Sequence, residues 1–269
     1  MSIASTAKAA LLRNFSGSTN SKGYTESPQE NLLPGIDLAT VEDDLRGGDG
    51  DELRMKFCAV HSSCALAVNC FAPFKVNPSR LQLLGKQGAT NLGFEKKLPI
   101  FDGRRCPNLD VWIEFGHEVV AVESKLLEYF GPKKPEFSPS YEGLAPPKSD
   151  PCWWEAYEEA RKGTEGHLDR AQLVKHYFGL NEFRHRHPEC SKLTLLYLFW
   201  EPLNWSEFGE CRKHRDEVGA FVQAVANSPI EFRWMTYNDL WEEWSIVPDL
   251  AAHAGHLKGR YQVSLWSAR

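Results

Sequence analysis

The chain has 269 residues, of which 42% are hydrophobic and 25% are charged, and both proportions are ordinary for a globular protein. Its formal net charge of −5 argues against a surface that is basic throughout, although a local basic cleft is compatible with it. No apolar run is long enough to span a membrane, and seven scattered cysteines favour reduced thiols, so we expect a cytoplasmic protein without membrane contact.

The first residues, 1 to about 50, predict a flexible N-terminal tail. From residue 14 to residue 50 the chain is dominated by Ser, Thr, Gly, Asn, Pro and acidic residues. Such a segment buries too little apolar area to offset the entropy that is lost when it becomes ordered. A short helix over residues 4–12 is compatible with the sequence, and we expect the folded domain to occupy residues 51–269.

The rest of the chain predicts alternating helices and strands. In order we predict a helix from Ser62–Ser63 to Pro73, a strand over 94–101, two strands around Gly116–His117, helices that begin at Pro151 and Thr164 (the second closed by Gly179), a strand over 193–200, a helix over 206–227, a strand over 230–235 and a helix capped by Asn238. A three-strand meander followed by helices and two more strands predicts an α/β fold with a mixed sheet and helices on its faces. The region around 127–163, rich in Pro, Lys, Ser and Gly, reads as an insertion.

The two strands around Gly116–His117 bring charged residues together. Both strands are rich in β-branched and aromatic residues, and a two-residue loop with Gly first favours a hairpin. In that register Asp110 lies directly opposite Glu123, with Cβ atoms about 5 Å apart, and Lys125 projects from the same face. Two carboxylates this close repel each other unless a cation lies between them, so the hairpin predicts a divalent-metal site beside a lysine.

These residues carry a family resemblance. Asp110, twelve intervening residues, and then Glu123-x-Lys125 resembles the signature of PD-(D/E)xK nucleases, and the predicted order of elements resembles the restriction-endonuclease-like core of that superfamily. The resemblance covers roughly residues 52–244. One departure is that Asn108–Leu109 separates the aspartate from Pro107, a variation that is common in the superfamily.

Two shorter segments refine the resemblance. Residues 62–71 and residues 94–99 resemble a little-characterised bacterial branch of restriction-endonuclease-like proteins. The D-x(n)-E-x-K pattern by itself is loose, so its specificity in this chain depends on the strand context and on the hairpin register.

The resemblance implies a metal-dependent endonuclease that hydrolyses phosphodiester bonds, with DNA as the favoured substrate. Asp110 and Glu123, with the carbonyl of Ser124, would hold Mg²⁺, and Mn²⁺ would substitute for it. Mg²⁺ accepts one or two carboxylates together with waters and phosphate oxygens, which suits so sparse a set of ligands. The oligomeric state stays open, a dimer included.

Three further residues are candidates for catalytic roles. Lys125 would position or deprotonate the attacking water or stabilise developing charge, and the last role is favoured because a basic lysine needs a lowered pKa. Glu95 would be a further ligand or a water-orienting group. Gln172 resembles a glutamine on the helix that follows the Glu-x-Lys strand, and Lys175 and His176 lie one helical turn beyond it.

Other readings of the same residues stay open. The hairpin charges also fit an exposed cross-strand salt bridge, which would contribute little stability. The fold also fits a catalytically inactive module that binds nucleic acid or protein, and two opposed carboxylates fit the spacing of a retaining glycosidase. The pairs Lys133–Lys134 and Arg104–Arg105 could contact phosphates, although such pairs are usually solvated faces.

Overall fold

The structure is a computed structural model, and it describes residues 2–46, 56–100, 107–141 and 149–266. The α-helices of these residues are α1 (Ile3–Arg13), α2 (Glu42–Arg46), α3 (Ser63–Phe71), α4 (Pro73–Val76), α5 (Pro151–Arg161), α6 (Arg170–Arg186), α7 (Gly209–Ala224), α8 (Tyr237–Ser245) and α9 (Pro248–Tyr261). Their strands are β1 (Gln82–Leu83), β2 (Lys86–Gln87), β3 (Asn91–Lys96), β4 (Leu109–Phe115), β5 (Glu118–Lys125), β6 (Lys192–Phe199) and β7 (Ile230–Thr236).

A five-stranded mixed sheet with the order β3-β4-β5-β6-β7 forms the centre of the fold. The first three strands are an antiparallel meander, and β6 and β7 each run parallel to the preceding strand. Parallel neighbours require a long crossover connection, which the helical segments between β5, β6 and β7 provide. From its second residue onward β6 is buried, as expected for a central strand with both faces covered. The predicted α/β architecture is therefore confirmed.

The hairpin between β4 and β5 has the predicted register. Gly116 has a φ of +62°, a left-handed conformation that glycine adopts without the steric cost that a Cβ would add. Phe115 pairs with Glu118, and the ladder continues to the pair of Val111 with Val122. Both strands continue for at least one more residue, and the same register sets Asp110 opposite Glu123.

Helices cover both faces of the sheet. On one face α6 crosses the hairpin, where the ring of Phe183 meets the ring of Trp112 at 5.0 Å between centroids. On the other face Ser124 Oγ shares a hydrogen bond of 2.7 Å with the Tyr237 hydroxyl of α8. Side chains alternate along a strand, so Glu123 and Lys125 project beneath α6 while Ser124 projects towards α8.

The N-terminal segment differs from the expected tail. In α1, Ala7, Ala10 and Leu11 are buried, and the side chain of Asn31 is fully buried. Asn31 accepts hydrogen bonds from the Arg260 guanidinium on its side-chain and main-chain oxygens. The composition was a poor guide to this segment because a few apolar and amide side chains are enough to attach it to α9. We did not predict the helix α9. Within residues 2–46 the chain is part of the fold.

Two helix boundaries also differ from the predictions. The helix α6 begins at Arg170, capped by Asp169, and it runs through Gly179 to Arg186. A glycine inside a helix costs only about 1 kcal/mol, and the apolar residues after it pack against the sheet, so packing outweighs propensity. In α8 the N-cap is Thr236, which forms a capping box with Asp239, rather than Asn238.

Some predictions concern residues that lie partly or wholly outside the part of the chain that the structure describes. Arg104–Arg105, residue 101 of the strand predicted over 94–101, and residues 142–148 of the expected insertion lie outside the described residues. The observed strand, β3, begins earlier than predicted, at Asn91, and ends at Lys96. The described part of that insertion contains α5. No helix among the described ranges is long and apolar enough to cross a membrane.

Candidate active site

The side chains of the predicted site meet at the end of the β4–β5 hairpin. Asp110 accepts a hydrogen bond through Oδ2 from the main-chain N–H of Ser124, at 2.6 Å. Glu123 is only 1% exposed and forms an ion pair through Oε1 with Lys125, whose side chain is 12% exposed. Asp110, Glu123 and Lys125 are therefore brought together, as the hairpin register predicts.

Glu123 has two unlike oxygens. Its Oε2 accepts a hydrogen bond of 2.6 Å from Nε2 of His176, a fully buried histidine on α6. Its Oε1 is also buried, and within the described part of the chain its partner is the ammonium of Lys125 in an ion pair. With a single lysine as its partner, this oxygen keeps lone pairs that a further ligand could use.

The charges of the site act strongly on one another. Burial raises the pKa of Glu123, but Lys125 and His176 outweigh it and lower that pKa to about 2. Burial lowers the pKa of Lys125, but Glu123 and Asp110 outweigh it, so the pKa is raised and the ammonium stays charged. Burial, followed by the charge of Glu123, raises the pKa of Asp110 well above its usual range. The site thus holds one carboxylate firmly ionised beside a second that resists ionisation.

The helix α6 supplies two contacts to these residues. Gln172 Oε1 accepts a hydrogen bond of 3.0 Å from Lys125 Nζ, and His176 lies one turn further along the same face. Asp169 fixes the start of the helix by accepting a hydrogen bond from the main-chain N–H of Gln172. Sequence reasoning selected Gln172 and noted His176 only as its neighbour on that face. The contact between His176 and Glu123 depends on how α6 lies across the sheet, which spacing does not reveal.

Glu95 lies at the edge of the site. The pairs on either side of it in the β3–β4 ladder set it opposite Asp110, and its charge helps to raise the pKa of Asp110. Its φ of +52° is unusual for a residue other than glycine, and such strain often occurs at functional sites. The Asn108 side chain donates a hydrogen bond to Glu95 Oε2 at 3.0 Å.

In the described ranges no group of three or more His, Cys, Asp or Glu side chains is arranged to hold a metal ion.

Comparison with known proteins places the chain in a family. A family model described as Restriction Endonuclease associating with ARP matches residues 4–262. The chain belongs to this restriction-endonuclease family. No curated protein and no solved structure gives a match. The match begins within α1 and extends beyond α9, so the family includes the N-terminal segment that packs on the core of this chain.

Membership of the restriction-endonuclease family agrees with the architecture. A five-stranded mixed sheet flanked by helices is consistent with a restriction-endonuclease-like fold. In this family member the hairpin charges lie at the end of the meander, beneath α6. The alternative interpretation, an exposed cross-strand salt bridge, disagrees with the burial of Glu123, whose side chain is only 1% exposed.

Proposed function

We propose that the protein is a metal-dependent nuclease of the PD-(D/E)xK type that hydrolyses phosphodiester bonds in DNA. The observation that supports this most strongly is the environment of Glu123. Its carboxylate is buried, its pKa is lowered, its Oε1 is paired with Lys125, and a second carboxylate, that of Asp110, is close enough for the two charges to affect each other. A structural ion pair does not need the second carboxylate.

The residues present fit a hard divalent cation. Asp110 and Glu123 would hold Mg²⁺, or Mn²⁺ in its place, because both offer carboxylate oxygens and a cation relieves their mutual repulsion. Two protein carboxylates are enough for Mg²⁺, which keeps several waters and takes phosphate oxygens from its substrate. When bound, such an ion polarises a phosphate and acidifies a coordinated water.

The chain's own residues position and stabilise the reacting groups. Lys125 holds a positive charge at the site and would stabilise the charge that develops on the phosphate during hydrolysis. Gln172 orients that ammonium through its hydrogen bond, and His176 fixes the plane of the Glu123 carboxylate. The bond between Ser124 and Tyr237 anchors β5 from the opposite face of the sheet. We assign Glu95 the orientation of water near Asp110.

Cleavage of circular DNA tests the proposal. With Mg²⁺ or Mn²⁺ we expect the wild-type protein to nick or linearise supercoiled circles, and a chelator should abolish this. Lys125→Met removes the charge and keeps much of the side-chain volume, so cleavage should fall by roughly 100-fold or more. Lys213→Met, on the exposed surface of α7, is the matched control and should cleave like wild type.

Two outcomes would contradict the proposal. Unchanged cleavage by a folded Lys125→Met protein would reject the assignment of the site. A wild-type protein that shifts DNA in gels but never cuts it, with several divalent metals, would instead support an inactive nuclease-fold module that binds nucleic acid.

A further inference from the structure

A cleft of about 440 Å³ opens beside Gln172, on the side of α6 that faces residues 133–136. Pro107, Gln172 and five charged residues line it. Three of the charged residues are the lysines Lys133, Lys134 and Lys175. Three ammonium groups around one concave surface attract an anion, and the chain as a whole, with a net charge of −5, offers no such general attraction.

Two of these lysines, Lys133 and Lys134, belong to a fixed segment, residues 133–137, which we call the lysine strap. Lys133 forms two main-chain hydrogen bonds with Gly166, at 2.7 and 3.0 Å. Lys175, on α6, donates a hydrogen bond of 2.7 Å to the main-chain oxygen of Glu136 and lies 5.2 Å from the ring centre of Phe137. The strap is therefore attached at both ends of its run, and little ordering is needed before its lysines meet a ligand.

Gln172 connects this cleft to the candidate active site. Its side chain lines the cleft, and its Oε1 accepts the hydrogen bond from Lys125 Nζ at 3.0 Å. A polyanion that places one phosphate at Lys125 therefore has a path along Gln172 to the strap. The volume of the cleft is typical of a site for a small ligand, so it suits a short stretch of one strand rather than a duplex.

Two acids also line the cleft and oppose the lysines. Asp169 uses one carboxylate oxygen to cap α6 through the main-chain N–H of Gln172, at 3.0 Å. Its negative charge is thereby associated with the positive end of a helix. Glu136 is exposed on the strap. The positive charges remain in excess, and removal of the Glu136 charge should strengthen the binding of an anion.

We infer that this cleft binds the sugar-phosphate backbone of the cleaved strand, next to the phosphate that is hydrolysed. The inference rests on the proposed function for the identity of its substrate, and it adds a binding subsite outside the Asp-Glu-Lys site. Lysines bind phosphates as point charges and carry no sequence information, so the subsite sets affinity and register rather than base preference.

Binding without cleavage tests the subsite. A fluorescein-labelled single-stranded oligonucleotide is titrated with protein in EDTA, with fluorescence anisotropy measured at several salt concentrations. Lys133→Gln/Lys134→Gln should raise Kd by roughly 10-fold near 0.1 M salt and reduce the slope of log K against log salt by about 1 to 2. Lys22→Gln/Lys213→Gln removes two exposed lysines outside the cleft and should change neither quantity.

A variant that is expected to bind more tightly controls for a loss of binding that only reflects damage to the fold. Glu136→Gln should lower Kd, because it removes an acid from the same surface. Equal effects of the strap and control pairs on Kd, or no effect of the strap pair on either Kd or the salt slope, would overturn the inference, whether or not the wild-type protein cleaves DNA. Binding that depends on the strap, in a protein that never cleaves, would retain the subsite and reject the nuclease.

Discussion

Two buried glutamates lie at the carboxyl-terminal ends of neighbouring parallel strands, and each is paired with a cation. Glu123, near the end of β5, meets Lys125, and Glu201, just after β6, meets Arg215. A buried histidine accompanies each pair: His176 contacts Glu123, and His214 directly precedes Arg215 in α7. The two regions use nearly the same residue types at the same edge of the sheet.

The region around Glu201 gives both oxygens of that carboxylate a hydrogen-bond partner, although burial raises the pKa of Glu201. Arg215 donates hydrogen bonds to both carboxylate oxygens of Glu201, and the Nε–Oε2 distance is 2.9 Å. The guanidinium lies 3.9 Å from the ring centre of Trp205 and 5.4 Å from that of Trp234. Asn238 donates a hydrogen bond to the Glu201 main-chain oxygen at 3.0 Å. A bidentate pair held between aromatic rings is a geometry that stabilises a fold.

The region around Glu123 leaves its charges in conflict. Asp110 adds a second carboxylate, and burial and then the charges of Glu123 and Glu95 raise the pKa of Asp110, while Lys125 has to serve both Glu123 and Asp110. Such conflict lowers stability and persists where function requires it. The comparison indicates that a buried ion pair points to a functional site when a further charged group nearby remains in conflict with it. When every carboxylate oxygen of the pair has its own hydrogen-bond donor, the pair points to a structural role.

The largest expected effect comes from Asp110→Asn. The amide keeps an oxygen for the Ser124 N–H and replaces a carboxyl group whose pKa is raised by burial and by Glu123. We expect DNA cleavage to fall by roughly 100-fold or more, since the ligand that we propose for the metal is lost. The free energy of unfolding in urea should stay the same or increase. A clear fall in that free energy, with cleavage retained, would reverse the roles of the two regions.

His176→Gln tests the role of the buried histidine in the region around Glu123. Glutamine can still donate to Glu123, but the rigid ring that fixes Oε2 is lost. A residue that orients a metal ligand typically contributes 10- to 100-fold to metal affinity or activity, so we expect an effect of about that size. The measurement is direct Mn²⁺ binding by calorimetry, together with the metal concentration for half-maximal cleavage. Unaltered Mn²⁺ affinity would show that His176 serves packing alone.

Glu201→Gln is the matched change in the other region. It breaks one of the two charge-assisted hydrogen bonds with Arg215 and leaves the guanidinium short of a partner. We expect the free energy of unfolding to fall by about 1 to 3 kcal/mol, while cleavage per folded molecule is unchanged. Loss of cleavage at full stability would show that the Glu201 region also belongs to the active site.

The hairpin shows what local sequence determines. Gly116 selects the turn, the turn selects the register, and the register sets Asp110 opposite Glu123. Each of these steps involves residues close together in the chain, so they could be predicted. The strands β6 and β7 followed in the same way from apolar runs bounded by turns.

The parts that could not be predicted depend on distant contacts. His176 reaches Glu123 across 53 positions of sequence, and Arg260 reaches Asn31 across 229. Neither pair has a local signature, because a lone buried histidine or arginine looks the same in sequence wherever its partner lies. The N-terminal segment was misjudged for this reason: its composition is polar, but its few apolar residues are buried, and Asn14 and Asn31 form hydrogen bonds with residues of α9.

The last comparison concerns the two histidines, since only one contacts a carboxylate. His214 is fully buried, stacks on Tyr129 at 4.0 Å between ring centroids and shares a hydrogen bond of 2.9 Å with the Tyr197 hydroxyl. Burial, with smaller effects of His167 and Arg215, lowers its pKa from 6.5 to about 3. The folded protein therefore keeps this ring neutral over a pH range in which the unfolded chain takes up a proton.

The smallest expected effect follows from that difference. The stabilisation linked to a lowered histidine pKa is complete above the unfolded pKa of 6.5 and is lost as pH falls towards about 3. Between pH 6.5 and 4.5 the wild-type protein should therefore lose up to about 1.4 kcal/mol per pH unit more than His214→Gln, which has no such proton to gain. Urea unfolding of both proteins at three pH values measures this difference. If stability changes with pH in the same way in both proteins, the ring of His214 takes up its proton in the folded protein as readily as in the unfolded chain. That result would remove the contrast between a histidine kept neutral for structure and one that orients a carboxylate.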